Sequence, residues 1–419
     1  MKVSGRVAVP GDKSISHRAL ILGAIAEGRT DVTGILQSAD VQSTAAVLRS
    51  LGVAVGDLAT PAVTVEGVGP RGLRAPAGDL DAGNSGTTTR LMAGVLAAQP
   101  FRSRVVGDAS LSRRPMGRVA KPLAAMGATF AFENGEGLPM AVSGGALRGV
   151  TWYPEAASAQ VKSAILLAGY CGGVPVEVHE PAATRDHTER MMRSRGVDVR
   201  TEEMSVSLLP GQPMVGATTA VPGDPSSAAF FAGLAALAAS GEVELPAVCV
   251  NPGRVGAFRV LERMGARLGY EDLTDAGGEP TATLVAAPRI LRGTTIEPGE
   301  VPSLIDELPL LACVAARAEG ETRVTGAGEL RVKESDRIAR IVANLRAVGA
   351  EAEELPDGFV VRGSDRPLAG RVVTHGDHRI AMAFGVLGAA SGGAITVDDP
   401  ACVAVSYPSF WTDLADAAR

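Results

Sequence analysis

The sequence predicts a two-lobed α/β fold in which each lobe holds three similar α/β repeat units with parallel helices, an inside-out barrel-like arrangement with a cleft between the lobes. Three observations predict it. Ala/Leu-rich helical segments begin six times, near Ser14, Thr87, Ser158, Ser226, Asp306 and His378. Their spacing is roughly 70 to 80 residues, and self-similarity at a fixed period marks a repeat architecture. Finally, "VPGDKSISHRAL" at 9 is echoed by "VPGDPSSAAFFAGL" at 221, which splits the six copies into two sets of three.

Within each copy the elements follow in order. Most first helices run into a Gly-containing turn and a β-like stretch, as in "EGRTDVTG", "GGVPVEVHEP", "SGEVELP", "EGETRVTG" and "SGGAITVDDP". A second helical segment then ends in a small signature: "LGVAV" at 51, "MGATF" at 126, "RGVDV" at 195, "MGARL" at 264 and "VGAEA" at 349. The Gly fits a helix C-cap and the strand follows it. The sixth copy runs out of chain after "VAVSYPSFWTDL", and the N-terminal strand "KVSGRVAVPG" is expected to complete it. The two PGD turns, at 10–12 and 222–224, read as crossings between lobes, giving one lobe of 12–223 and a second of 1–11 plus 224–419. The competing reading is one continuous array with no cleft.

Composition narrows the function. A chain of 419 residues can bury large cores. A formal net charge of -6 argues against a broad basic surface for nucleic acid. Cys171, Cys249, Cys313 and Cys402 are scattered with no CxxC pair, so neither a disulfide framework nor a zinc site is expected. The first residues lack the apolar core of a signal peptide, and no uninterrupted apolar run is long enough to span a bilayer. A soluble cytoplasmic protein is expected. Aromatics are only 4% while Gly numbers 51, so cores of Ala, Val and Leu, close helix packing and tight turns are expected.

The polar residues gather at the helix starts: "DKSISHR", "DAGNSGTTTR", "ASAQVK", "DPSSA", "LIDELP" and "GDHRIAM". The first is not a nucleotide phosphate loop, because Asp12 separates Gly11 from Lys13 and no second Gly stands where that motif needs one. Ser, Asn, Asp and Thr at these positions are ordinary N-caps, and Ser226 reads as that alone. Capping leaves Lys13, Arg18, Arg90 and Arg379 unexplained, because a cation in the first turn opposes the helix dipole unless an anion is held there too. The segment "GNSGT" adds backbone N–H groups that can approach an oxyanion closely. The second helical segments carry more charge: Arg113, Arg114 and Arg118; Thr184, Arg185, Asp186, His187 and Glu189; and Arg331, Lys333, Glu334, Asp336, Arg337 and Arg340. Lys333 and Arg337 are four apart and are expected to share a helix face. One such helix alone would be a solvated face. Recurrence at equivalent places in an acidic chain points to a small, multiply anionic ligand. Asp306, opening an apolar helix, and Glu334, among cations, are the candidate acid–base carboxylates. His378 reads equally as a polar helix-start residue and as a catalytic one.

Together "PGDKSISHRA", "GNSGTTTRL", "SRRPMG", "SAQVKSA", "TRDHTE", "RVKESDR" and "GDHRIAM" resemble the 3-phosphoshikimate 1-carboxyvinyltransferase (5-enolpyruvylshikimate-3-phosphate synthase) family of enolpyruvyl transferases, from residue 9 to about 411. The resemblance implies transfer of the enolpyruvyl group of phosphoenolpyruvate to the 5-hydroxyl of shikimate 3-phosphate, with release of phosphate, in the pathway to chorismate and the aromatic amino acids. It implies small-molecule substrates only, no metal or organic cofactor, no nucleic-acid or membrane partner, and a monomer. By motif, Lys13, Ser14, Arg18, Ser158, Ala159 (through its backbone), Gln160, Thr184, Asp306 and Lys333 correspond to phosphoshikimate contacts. Lys13, Gly86, Arg114, Gln160, Arg337 and Arg379 correspond to phosphoenolpyruvate contacts, with Asn84 and His378 as further candidates. Asp306 corresponds to the proton acceptor for the 5-hydroxyl, Glu334 to the acid that protonates the methylene carbon, and Lys13 joins them as a catalytic candidate. Family members are inhibited by glyphosate, and Gly86 is expected to leave space beside the donor phosphate. Three positions depart from the pattern: Val405 stands where some relatives have Lys, Glu329 where some have Asn, and His187 where others have Tyr. Two rivals are the sister UDP-N-acetylglucosamine 1-carboxyvinyltransferase, whose reactive Cys has no counterpart in 84–120, and a non-catalytic binder of phosphorylated metabolites.

Overall fold

Six helices organise the chain: Lys13–Ile25, Gly86–Ala97, Ala159–Gly172, Pro225–Leu237, Leu308–Ala315 and His378–Ala390. The structure, a computed structural model, describes residues 1–418. Beyond their first turns these helices are buried nearly all round, as in Ile15–Ile25, Val161–Gly172 and Pro225–Ala236. An apolar helix without a polar face belongs in an interior. Five of the six starts are capped by a side chain that accepts a first-turn N–H: Asp12, Ser85, Ser158, Asp224 and Asp377. Two expectations are corrected here. Asp224, not Ser226, caps the Pro225 helix, because its carboxylate accepts the Ser226 N–H at 2.8 Å. Asp306 does not open its helix; it lies in the 3-10 turn Ile305–Glu307 just before Leu308.

The chain divides into two compact units. The unit Gly11–Val221 with Asp275–Glu279 contains three four-stranded sheets of one topology. In the second of them the edge strand Leu80–Asp81 runs parallel to Arg102–Val106. That strand pairs antiparallel with Met140–Ser143, which in turn pairs antiparallel with Thr129–Phe132. The same order recurs in the third, from Val150–Trp152 through Val176–His179 and Ser205–Leu208 to Val199–Glu202. The unit Met1–Pro10, Pro222–Thr274 and Pro280–Arg419 repeats it in Thr295–Ile296, Glu321–Val324, Gly358–Arg362 and Glu351–Leu355. Strands such as Glu321–Val324 alternate exposed and buried residues, so one sheet face lies on the helices and the other meets water.

The N-terminal strand completes the fourth copy, not the sixth. Lys2–Val3 pairs in parallel with Ser240–Gly241, and the bridge Arg6–Glu244 continues it. Conversely Thr218–Ala220, which precedes the Pro225 helix in the chain, pairs in parallel with Glu27–Thr33 of the first copy. The strands leading into Asp12 and Asp224 are therefore exchanged between copies one and four. The sixth copy keeps only the parallel pair Gly370–Val372 and Ile395–Val397, then a 3-10 turn and the helix Phe410–Ala417. Residues 275–279, read as part of the second lobe, belong instead with Gly11–Val221. Two contacts to the helix His187–Arg193 hold them there, the buried pair His187–Glu279 and the hydrogen bond from Arg190 to the Gly278 carbonyl. Lys333 precedes the helix Arg337–Ala347, in the bend after the 3-10 turn Gly328–Val332, so it shares no helix face with Arg337. Arg113 and Arg114 likewise lie between the short helices Ala109–Ser112 and Gly117–Ala125.

No helix among the described residues is long and apolar enough to cross a membrane. The Gly86 and Ala159 helices pack backbone against backbone at Gly94, where an added Cβ would lie 2.2 Å from the Ala164 carbonyl oxygen. Gly94→Ala must therefore spread two helices that carry polar helix starts. It should cost about 1–3 kcal/mol, the usual scale of overpacking. An unchanged urea midpoint in equilibrium unfolding would contradict that packing.

Candidate active site

In the unit Gly11–Val221, Arg18 is buried at 4% exposure, and its guanidinium donates to two hydroxyls and a carbonyl. Its Nε donates to Thr188 Oγ1 at 2.7 Å, Nη2 to Ser163 Oγ at 2.9 Å and Nη1 to the Ser14 carbonyl at 3.0 Å. Burial lowers its pKa to about 10, with Glu189, Asp12 and Glu279 acting the other way, so it stays charged at neutral pH. Ser163 Oγ in turn donates to the Ala159 carbonyl at 2.6 Å, which ties Arg18 to the start of the Ala159 helix. Lys13, the first helical residue, pairs with Asp40.

A second cluster gathers at the Gly86 helix. Arg90 Nη1 donates to Gln160 Oε1 at 2.9 Å, and Gln160 Nε2 to Thr87 Oγ1 at 3.0 Å. Arg114 Nη2 donates to Asn84 Oδ1 at 3.1 Å, and Asn84 Nδ2 to Asp108 Oδ2 at 2.6 Å. A Cβ on Gly86 would lie 2.9 Å from Arg90 Nη1 and 3.5 Å from Arg114 Nη1. Two guanidinium groups thus stand beside Gly86. Ser158 caps the Ala159 helix through the Val161 N–H at 3.4 Å. Thr184 donates to Glu180, which pairs with the buried Lys162 at 2.7 Å; Glu189 lies 2.6 Å from the same ammonium. Burial would lower the Lys162 pKa, but Glu189 and Glu180 outweigh it and raise it.

The other unit holds the carboxylates. Arg337 is 1% exposed. Its Nε donates to Asp377 Oδ2 at 2.8 Å, and Nη2 to Asp377 Oδ1 at 3.2 Å and Glu334 Oε2 at 2.6 Å. Nη1 reaches Asp306 Oδ1 at 3.4 Å, and Lys333 Nζ lies 3.8 Å from the same oxygen. Burial would lower the Arg337 pKa; Glu334, Asp377 and Asp306 reverse that and raise it. Asp377 is fully buried, also accepts from Ser335 Oγ at 2.9 Å, and caps the last of the six helices through the Arg379 N–H at 3.0 Å. Arg379 Nη1 stands 3.8 Å from the buried Glu307. Val405, in a 3-10 turn, brings no charge.

So Lys13, Ser14, Arg18, Asn84, Gly86, Arg114, Ser158, Ala159, Gln160 and Thr184 fall in one unit. Asp306, Lys333, Glu334, Arg337, His378 and Arg379 fall in the other. Within the first, hydrogen bonds join the starts of three helices. Within the second, Arg337 touches both candidate acid–base groups. Sequence reading missed Asp377, Ser163, Thr188 and Glu180, which touch the predicted residues and orient them. Only Asp377 carried a signal, as the Asp of "GDHR" at an N-cap. His378 is buried, and burial followed by Arg379 lowers its pKa, so it is a neutral imidazole at neutral pH.

A family model described as EPSP synthase (3-phosphoshikimate 1-carboxyvinyltransferase) matches residues 1–414. A 3-phosphoshikimate 1-carboxyvinyltransferase from Acidithiobacillus ferrooxidans is 50% identical over 409 residues, 98% of this chain and 94% of that protein. One from Aquifex aeolicus is 47% identical, covering 99% of this chain and 97% of that protein. The solved EPSP synthase of Acinetobacter baumannii has a TM-score of 0.88 and 44% identity, covering 100% of this chain and 96% of that one. An enolpyruvyl transferase from Streptomyces tendae has the same fold, with a TM-score of 0.74 at 17% identity over 99% of this chain and 95% of that one.

Two buried histidines set a pH signature. Burial lowers the His17 pKa to about 3, and its Nδ1 lies 2.7 Å from Thr44 Oγ1, which leads on to Thr88 at 2.6 Å and from there to Ser85 at 2.7 Å. With folded pKa values below the unfolded value, the unfolded chain binds more protons through the window between them. Stability should therefore fall as pH drops below about 6.5. In NMR, the ring signals of His17 and His378 should stay those of neutral imidazole from about pH 8 to about pH 5. A ring titrating near its ordinary value would contradict their burial.

Proposed function

The chain belongs to the EPSP synthase family, and from that premise we propose that it transfers the enolpyruvyl group of phosphoenolpyruvate to the 5-hydroxyl of shikimate 3-phosphate and releases phosphate. The observation that carries this reading is the pair of carboxylates, Asp306 and Glu334, on one guanidinium, Arg337. The reaction needs one group to take a proton from oxygen and another to give one to carbon.

The chemistry then assigns roles. Glu334, as the acid, protonates the methylene carbon, which makes C2 cation-like. Asp306 takes the hydroxyl proton as the 5-oxygen bonds to C2. In the second half the C2–phosphate bond breaks, Glu334 recovers a proton from the new methyl group, and the phosphate leaves with the proton held by Asp306. Asp377 grips Arg337 with both oxygens, whereas Glu334 is 31% exposed and holds it with one. An incoming substrate carboxylate would exchange with Glu334, not Asp377, and would leave Glu334 able to take up its proton. Arg forks suit the substrate carboxylate and phosphate groups bidentately. Lys13, Gly86, Arg114, Gln160 and Arg379 complete the phosphoenolpyruvate set. Lys13, Ser14, Arg18, Ser158, Ala159, Gln160, Thr184 and Lys333 complete the phosphoshikimate set. Fixing two substrates in place supplies orientation, and the arrayed cations stabilise the developing phosphate charge.

A phosphate-release assay with both substrates tests the reading. The wild-type chain should turn over, and Asp306→Ala and Glu334→Ala should each lose at least about a hundredfold in rate, the scale of acid–base groups. Substrate binding without turnover would favour a non-catalytic binder, and near-normal rates in both variants would remove these two residues from the roles given.

A further inference from the structure

The buried pair His187–Glu279 lies outside the roles assigned so far. His187 Nδ1 is 2.7 Å from Glu279 Oε1, with side-chain exposures of 0% and 1%. Glu279 sits beside a two-residue hairpin loop joining Arg267–Ala276 to Glu279–Ala287. That loop is Gly277–Gly278, with φ of +64 and +94, a backbone that glycine adopts without strain. Asp275 Oδ1 accepts the Gly278 N–H at 2.8 Å and stiffens the turn. A Cβ on Gly278 would lie 3.1 Å from the Arg190 carbonyl oxygen, and Arg190 Nη1 donates to the Gly278 carbonyl at 3.3 Å. The hairpin tip thus touches the short helix His187–Arg193 at two residues three apart, which share a face.

That helix is the one that orders Arg18. Thr188, next to His187, accepts from Arg18 Nε at 2.7 Å and is bonded to Ser163, the second acceptor of Arg18, at 2.7 Å. Thr184 precedes the helix by three residues. Glu279 also acts on Arg18 directly, as one of the carboxylates that favour its charged form. We propose that Glu279 is a positioning residue for phosphoshikimate: the hairpin tip delivers a buried carboxylate that fixes the start of the His187 helix, and so holds Arg18 and Thr184 in register. The inference rests on the reading of Arg18 and Thr184 as phosphoshikimate residues.

Steady-state kinetics of Glu279→Ala and Glu279→Gln test it. Glu279→Ala should raise KM for shikimate 3-phosphate about tenfold or more, the range of a lost charge-assisted hydrogen bond. KM for phosphoenolpyruvate and kcat should stay within about twofold, since no contact to those groups is removed. Glu279→Gln, which keeps the shape and one acceptor, should recover part of the loss and keeps the test open where the Ala variant does not fold. Equal rises in both KM values, or a lower melting temperature with both KM values unchanged, would overturn the proposal. Absence of turnover in the wild-type chain would count against the proposed function instead. Calorimetric titration of shikimate 3-phosphate into the same variants then decides the inference.

Discussion

A guanidinium taken out of water must find acceptors, and the kind of acceptor decides what its charge can still do. Arg18 is surrounded by two hydroxyls and a carbonyl. Each of its three nitrogens has one neutral acceptor, which leaves two of its five N–H groups and its charge for an anion. Those acceptors come from the Lys13 helix itself, from the Ala159 helix and from the His187 helix. They converge because copies of one α/β unit bring their helices together in the same unit. The repeat is in this sense a means of assembling a cationic site from helix ends that are far apart in sequence.

Arg337 shows the opposite solution. Three carboxylates contact it, and Asp377 takes both oxygens to the task. Its charge is met inside the protein by three carboxylates, of which Asp377 holds it most firmly. Breaking such a buried pair by removing one partner is costly, because the remaining charge stays in a low-dielectric setting. The carboxylate with most access to water, Glu334, is the one that can leave. One unit therefore keeps a cation available for anions, and the other keeps two carboxylates poised by a cation.

Much of this was legible in the sequence because it is local. A capping side chain, an apolar run and a terminal Gly lie within one helix, so the repeat, most of the six helix starts and caps such as Asp12 and Ser158 could be read off. The strand exchange could not. Edge strands such as Lys2–Val3 and Ser240–Gly241 are two residues long, and their parallel pairing leaves no periodic trace. Lys333 and Arg337 were expected on one helix face from their spacing, yet the chain bends between them and Asp306 brings them together instead. That Arg90 and Arg114 meet beside Gly86 was equally hidden, because each reaches it from a different place in the chain. Glu279 was invisible for the same reason as Thr188: its meaning comes only from what folds against it.

The measurement closest to the central claim is the affinity of shikimate 3-phosphate for the wild-type chain and for Arg18→Gln, by calorimetric titration at fixed ionic strength. An Arg18 that keeps its charge for an anion predicts binding weakened by about tenfold or more in the variant, since a charged hydrogen-bond donor is lost. The fold should be retained, as judged by an unchanged circular dichroism spectrum. Equal affinity in the two proteins would mean that the caged guanidinium serves only the packing of its three helices, and the account of the site would fail with it.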